Sequence, residues 1–491
     1  MRRILLALGL GLSLTTACAM DETIDAASAA ATPQQTEQPS ETPATIDLPE
    51  TTPVAGMTAI PAQAEEEPDS VKLAAMHQRL AAKKMQLLRT TIKNTETKKS
   101  LFSRLLASSQ NPIDAELLSE LRRFTEDYPA LPETAEVYLL MNQVHQRSSE
   151  YPAAAIDLLL LRAAYPGSPF EKEAVKRLQA LANDDLKKQA DMLQTLGTKI
   201  GSLKGEREER VAGLLHHLGE NTEKDWARPI ADACASFLSG NQGWLSEDRI
   251  EHVWARQAAL LDAQTGIYHF DKLIALYPES DQHADSLLAK ATIQRKNMHI
   301  YPQAAATYTQ LIGQFPDSAE TKQGYEALAS MYDEDMQDYP NAIKTNEAIV
   351  ARYKDDPVVL NALRSMASIQ QNKTKQPEQA IESHLKIAEL FKGEAGMEAL
   401  LAAERLALFT TRDWAKAIDI NHRIIALSPQ HEEAIKAEFK NAEITEEKLG
   451  DKVAAKILYA EFLTKHPEHD LSREASRRIE AIDKALNEPS R

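Results

Sequence analysis

The stretch Ala304-Ala305-Ala306-Thr307-Tyr308-Thr309-Gln310-Leu311-Ile312-Gly313-Gln314-Phe315-Pro316 repeats the layout of Gly266-Ile267-Tyr268-His269-Phe270-Asp271-Lys272-Leu273-Ile274-Ala275-Leu276-Tyr277-Pro278. In both, a small residue is followed by apolar residues at +4, +7, +8 and +11 and by proline at +12, which predicts a one-faced helix with a stop signal. The same frame fits at Ala304, Ala342, Ala380, Ala417 and Ala455, in steps of 38, 38, 37 and 38 residues. Counting back in steps of 37 or 38 reaches Gly266, Pro229, Met192, Ala154 and Leu117, with Pro129 and Pro166 at +12 of the last two. Ten units in one phase predict a solenoid of stacked helical hairpins.

The other half of each unit is a second helix. Ala291, Ala329 and Ala367 recur with Leu287, Tyr325 and Leu363 four residues before them, marking a close-packed face. A turn then opens on Tyr151-Pro152, Tyr301-Pro302, Tyr339-Pro340 and Gln376-Pro377. Proline suits the first turn of a helix, where its missing N–H has no partner in any case. With its small anchor, its aromatic at +11 and its proline at +12, the pattern resembles the tetratricopeptide repeat, in the longer-stepped form of periplasmic and outer-membrane lipoproteins. The resemblance runs roughly from Lys98 to Pro467; the step exceeds the 34-residue signature, and the tryptophan and Leu-Gly pair of its first helix are mostly missing. It implies an all-α protein, a right-handed α-solenoid of about ten hairpins with capping helices at both ends. It also implies a protein–protein interaction scaffold, similar to the tetratricopeptide lipoproteins of outer-membrane assembly.

Composition agrees. The 491 residues are 43% hydrophobic, only 5% aromatic and include 17 glycines, as in all-helical proteins. Arg2 and Arg3, the apolar run Ile4 to Leu14, and Leu14-Thr15-Thr16-Ala17-Cys18, which resembles a bacterial lipobox, make residues 1–18 a signal peptide with Cys18 as the lipidated residue. Ala19 follows Cys18, and aspartate does not. That order implies an outer-membrane anchor facing the periplasm. Cys234 is then the last thiol, and it shares a helical face with Ile230 and Phe237 as a packed, inert side chain.

Residues 19–69 hold seven prolines, eight threonines, eleven acidic residues and no Lys or Arg. Such a segment cannot build a core and is expected to be an acidic tether, with a typical span of ~35–45 Å. Of the net charge of −17, the tether carries eleven negative charges and Arg2 with Arg3 offset two, so residues 70–491 carry −8. Residues 70–110 are expected to hold a capping helix, running to Leu106 with Leu73, Leu80 and Leu87 at heptad spacing, and the start of the first hairpin (Lys98 to Ser109, then Ile113 to Tyr128). The solenoid spans 98–467, with degenerate repeats at 186–243 where Gly197, Gly201, Gly205, Gly213 and Gly219 interrupt the helices. Residues 468–491 supply a last capping helix and tail, Asp470 capping it, Leu471, Ala475, Ile479 and Ile482 facing the array, and Arg473, Arg477, Arg478 and Lys484 facing water.

Chemistry-bearing motifs are few. Gly197-Thr198-Lys199-Ile200-Gly201 lacks the order of a phosphate loop. His216 and His217 point about 100° apart on a helix, His466 and His469 flank a turn with no third ligand, and Asp333, Glu334, Asp335 and Asp338 lack the spacing of a calcium loop. No nucleophile motif appears, and a pI near 5.3 without a basic stripe disfavours nucleic acid. No catalytic residue, metal or cofactor is therefore expected, and partners are expected to be envelope proteins or peptides. Groove positions carried over from the family are Asp285, Thr292 and Arg295, then Gln323, Glu326, Ser330 and Asp333, then Asn361, Arg364, Ser368 and Gln371. The rival reading is an enzyme or ligand receptor with its site in 186–243. Replacement of Cys18 by serine is expected to release the protein into a soluble fraction or leave an unprocessed precursor. An intact wild-type mass without acyl chains would remove the anchor.

Overall fold

The computed structural model describes residues 69–96, 112–240, 246–354 and 356–487, and among these the regular elements are all helical. In chain order they are α1 (Asp69–Glu96), α2 (Pro112–Asp127), α3 (Thr134–Arg147), α4 (Tyr151–Ala164), α5 (Glu171–Asn183), α6 (Ala190–Ser202) and α7 (Arg207–Leu218). Next come α8 (Lys224–Gly240), α9 (Glu247–Leu261), α10 (Ala263–Leu276), α11 (His283–Lys296), α12 (Tyr301–Gln314), α13 (Ala319–Ser330) and α14 (Tyr339–Arg352). The last are α15 (Val358–Asn372), α16 (Pro377–Leu390), α17 (Glu394–Arg405), α18 (Trp414–Leu427), α19 (Glu432–Glu447), α20 (Lys452–Lys465) and α21 (Ser472–Asn487). From α9 onward each helix packs on the next, odd helices being the first and even helices the second of each hairpin. This is an α-solenoid.

The recurring sentence of sequence is the second helix. Ala154, Gly266, Ala304, Ala342, Ala380, Ala417 and Ala455 each stand at the fourth residue of an even helix, and all are buried. The reason for smallness is explicit at Gly266, where an added Cβ would come within 2.5 Å of the Ala259 Cβ on the preceding helix. The residue at +11 ends the helix outside helical geometry: Tyr165, Tyr277 and Phe315 share φ of −129°, −126° and −124°. The following proline ring excludes the helical region for its predecessor.

The turn inside six of the hairpins is equally uniform. Ser149, His299, Gln337, Lys375, Arg412 and Gly450 each lie two residues before an even helix, and each has positive φ, between 53° and 73°. Where the cap is aspartate (Asp338, Asp413, Asp451), its carboxylate accepts from the N–H three residues on. Short π-helical turns at Met331–Asp335 and Leu406–Thr411 extend α13 and α17 at the same point of two units.

The ends differ from expectation in two respects. On α1 the packed stripe is Ala81, Met85, Leu88 and Ile92, whereas the heptad residues Leu73, Leu80 and Leu87 are exposed. The helix meets its neighbours along the i, i+4, i+7, i+11 line, not along the 7-residue line. On α21, Ala475 and Ile482 are buried as expected, but Arg478 lies over α19, with Nη1 3.4 Å from Glu446 and 3.0 Å from Glu447. The expected tether, the signal peptide with Cys18, the segment Lys98 to Ser109 and the C-terminal end beyond Asn487 lie outside the described residues. None of the described helices is long and apolar enough to cross a membrane.

Over residues 112–240, part of the expected solenoid with its degenerate repeats at 186–243, the packing is more than nearest-neighbour. Here α4 packs against α5, α6, α7 and α8, and α8 returns to α2. Its whole surface is apolar and covered, from Ala154 through Ala164, apart from partly buried Arg162 and the acid Asp157, which is itself buried. A helix apolar all round becomes the centre of a closed turn.

Because nothing lies within 4 Å of a Cβ built at Gly450, Gly450→Ala isolates the cost of the left-handed backbone and should lower stability by about 1 kcal/mol. Lys375→Gly should be neutral or stabilising. Urea unfolding of both variants checks this, and an unchanged Gly450→Ala midpoint would count against the turn geometry.

Candidate functional site

Successive first helices approach each other (α7 on α9, α9 on α11, α11 on α13) and are linked by charge. His252 Nε2 lies 2.7 Å from Asp285, Arg295 Nε 2.6 Å from Asp335, Lys322 Nζ 3.0 Å from Asp356, Arg364 Nη2 3.0 Å from Glu398, and Lys440 Nζ 2.8 Å from the buried Glu404. Each pair joins one unit to the next along the groove side. Most are partly exposed and individually weak, so their effect is to fix spacing between units.

This ladder divides the expected groove residues. Gln323, Glu326, Asn361, Arg364, Ser368 and Gln371 are exposed in one row over α13 and α15. Asp285, Thr292, Arg295, Ser330 and Asp333 are partly buried and engaged in the structure. Contact with His252 holds the Asp285 carboxyl below the usual carboxylate range, and Thr292 Oγ1 donates to the Leu288 carbonyl. Arg295 donates from Nη1 to the Ala327 carbonyl at 2.9 Å and from Nη2 to Ser330 Oγ at 2.9 Å. Burial raises the Asp333 carboxyl. Arg295, expected as a groove position, is a clamp between units, with its side chain only 12% exposed.

The remaining motifs are separated. His216 is exposed, and His217 Nδ1 lies 3.3 Å from Lys199 Nζ; burial and that neighbouring charge lower its pKa. His466 and His469 approach different carboxylates, Glu438 and Glu432. Asp338 caps α14 while Asp335 binds Arg295. Among the described residues no group of three His, Cys, Asp or Glu is placed to hold a metal ion. Cys234 is fully buried, and burial pushes its thiol up.

The closed turn contains a feature the sequence reading missed, a cavity of about 1240 Å³ walled by α2, α3, α4, α7, α8 and the link from α5 to α6. It is shut on one side by α8 against α2: Arg122 Nη2 stands 3.7 Å from Asp232, and Ser236 and Ser239 donate to Glu126 at 3.0 and 3.2 Å. In its wall His145 Nδ1 meets Asp157 at 2.6 Å, both side chains 4% exposed. Burial opposes protonation of His145, but the charge and hydrogen bond of Asp157 outweigh it and raise the imidazole pKa; burial likewise raises the Asp157 carboxyl. The cavity draws on residues from Asp114 to Gly240. The sequence signal that could have pointed to it is the single acid inside the otherwise apolar α4.

A family model described as the tetratricopeptide repeat matches residues 285–318, which cover α11, α12 and the turn after them. Other units share the period, small anchor and left-handed turn of that hairpin. No curated protein matches the chain. Similar solved structures include a tetratricopeptide repeat protein from Parabacteroides merdae ATCC 43184, at 11% identity and TM-score 0.26, covering 62% of this chain and 96% of the other. Yeast Tom70 is similar at 12% identity and TM-score 0.21, covering 86% and 97%. At these scores the likenesses carry no inference about function.

Arg295→Ala should cost about 2 kcal/mol, because it strands the partners of a largely buried guanidinium, whereas Arg364→Ala should change stability by less than about 0.5 kcal/mol as an exposed pair. Urea midpoints of the two variants measure the difference, and equal losses would refute the clamp.

Proposed function

We propose that this protein is a lipid-anchored, non-catalytic interaction scaffold of the bacterial cell envelope, holding an extended partner segment along its first helices during assembly of envelope components. The observation that carries the reading is the exposed polar row Gln323, Glu326, Asn361, Arg364, Ser368 and Gln371, set on units whose spacing is fixed by the inter-unit ion pairs. A partner meeting such a row gains many small contacts over several units, and charge reversal at one position weakens the whole through mismatched potential. The anchor rests on the resemblance of Leu14 to Cys18 to a lipobox, and the outer-membrane, periplasm-facing location rests on Ala19 after it.

The test is photo-crosslinking in cells from a reactive residue placed at Asn361 or Gln371, with Lys344 on the second-helix side as comparison. Crosslinks should form from Asn361 and Gln371 and be lost in an Arg364→Glu background. Crosslinks from Lys344 alone would overturn the groove.

A further inference from the structure

We infer that the cavity enclosed by residues 112–240 receives an extended cationic segment, carrying apolar side chains, from a partner protein. This site is separate from the groove on α13 and α15. Its volume of about 1240 Å³ exceeds the roughly 300–1,000 Å³ of small-molecule pockets, and suits a stretch of peptide. The inner wall offers apolar surface from Leu118, Met141, Ile156, Leu160, Val211 and Phe237, so part of the occupant must be apolar.

Charge selects the rest. The lining holds ten Asp and Glu against five Lys and Arg. Asp114 is held by Arg147, Asp157 by His145, Asp232 by Arg122 and Glu208 by Arg207. With those pairs set aside, and Glu150 too, which lies 3.9 Å from His145, carboxylates still outnumber cations five to three. Asp184, Asp185 and Asp225 stand exposed on the rim, and walls of low dielectric focus such a field. Tyr151 adds an aromatic face that attracts ammonium and guanidinium groups. The chain's own segment 19–69, with eleven acidic residues and no Lys or Arg, would be repelled.

The test uses the full chain and two fluorescein-labelled peptides of about ten residues, one of lysine, leucine and glycine and the other with glutamate for lysine, titrated by fluorescence anisotropy. The lysine peptide should bind at least about tenfold more tightly, and Asp184→Lys with Asp225→Lys should erase most of that advantage. Glu347→Lys with Glu389→Lys makes the same change in net charge outside both the cavity and the groove row and should leave binding intact. Ala153→Trp, which fills the cavity without altering charge, should also abolish binding and serves if the rim variant fails to fold. Equal binding of the two peptides, equal losses in both lysine double variants, or full binding by Ala153→Trp would each overturn the proposal. Arg364→Glu should not affect this titration, so failure here and failure of the groove reading are told apart.

Discussion

Where the two helices of a hairpin cross there is room for a methyl group or less, and the array depends on that closeness. At Gly266 even a methyl would collide with Ala259, and at the same helical position Ala304, Ala342, Ala380, Ala417 and Ala455 are completely buried. A close crossing sets the angle between helices through the ridges and grooves that meet there. Repeating the angle every 37 or 38 residues fixes the path of the chain. Larger residues in the frame coincide with its distortion: Met192 and Pro229 are only partly buried, and they stand at the third and sixth residues of α6 and α8 instead of the fourth.

Once the crossing is lost, another apolar surface takes over. Helix α4 keeps its anchor at Ala154 but is apolar on every side, so covering one face is not enough. The helices after it fold back over the remaining faces until α8 reaches α2. Nearest-neighbour stacking, which makes solenoid stability a sum of local terms, holds from α9 onward and gives way to shared packing before it. The closed turn also explains the buried charge: a carboxylate on a helix covered all round loses its water, and the His145 imidazole one turn of chain away supplies the compensating hydrogen bond.

What could be read from the sequence follows the range of the forces involved. The period, the anchor, the aromatic at +11 and the proline act within one helix, so Ala304 to Pro316 spells them out. The left-handed residue before six of the second helices was hidden, because only Gly450 among the six is glycine, and serine, histidine, glutamine, lysine and arginine give no local sign of positive φ. The clamp made by Arg295 was hidden for a different reason. Its partner Asp335 is 40 residues away, and a charged residue on a groove face looks alike whether solvated or clamped. On α1, regularly spaced leucines outweighed the less conspicuous stripe of Ala81, Met85, Leu88 and Ile92, although a helix end packing on two neighbours uses the second.

The two parts of the chain hold their polar groups under different constraints, and this bears on what each can bind. Along α13 and α15 the exposed row faces open solvent, where single contacts are screened and weak, so recognition there has to be spread over several units and requires the units to keep their spacing. In the closed turn, carboxylates and aromatic rings share a concave, partly desolvated space, where each charge acts more strongly and fewer contacts suffice. The same sequence period therefore yields one open surface of spread, screened polar groups and one concave enclosure in which charges act strongly. The difference between them traces to whether a second helix is apolar on one face, like α12, or on all of them, like α4.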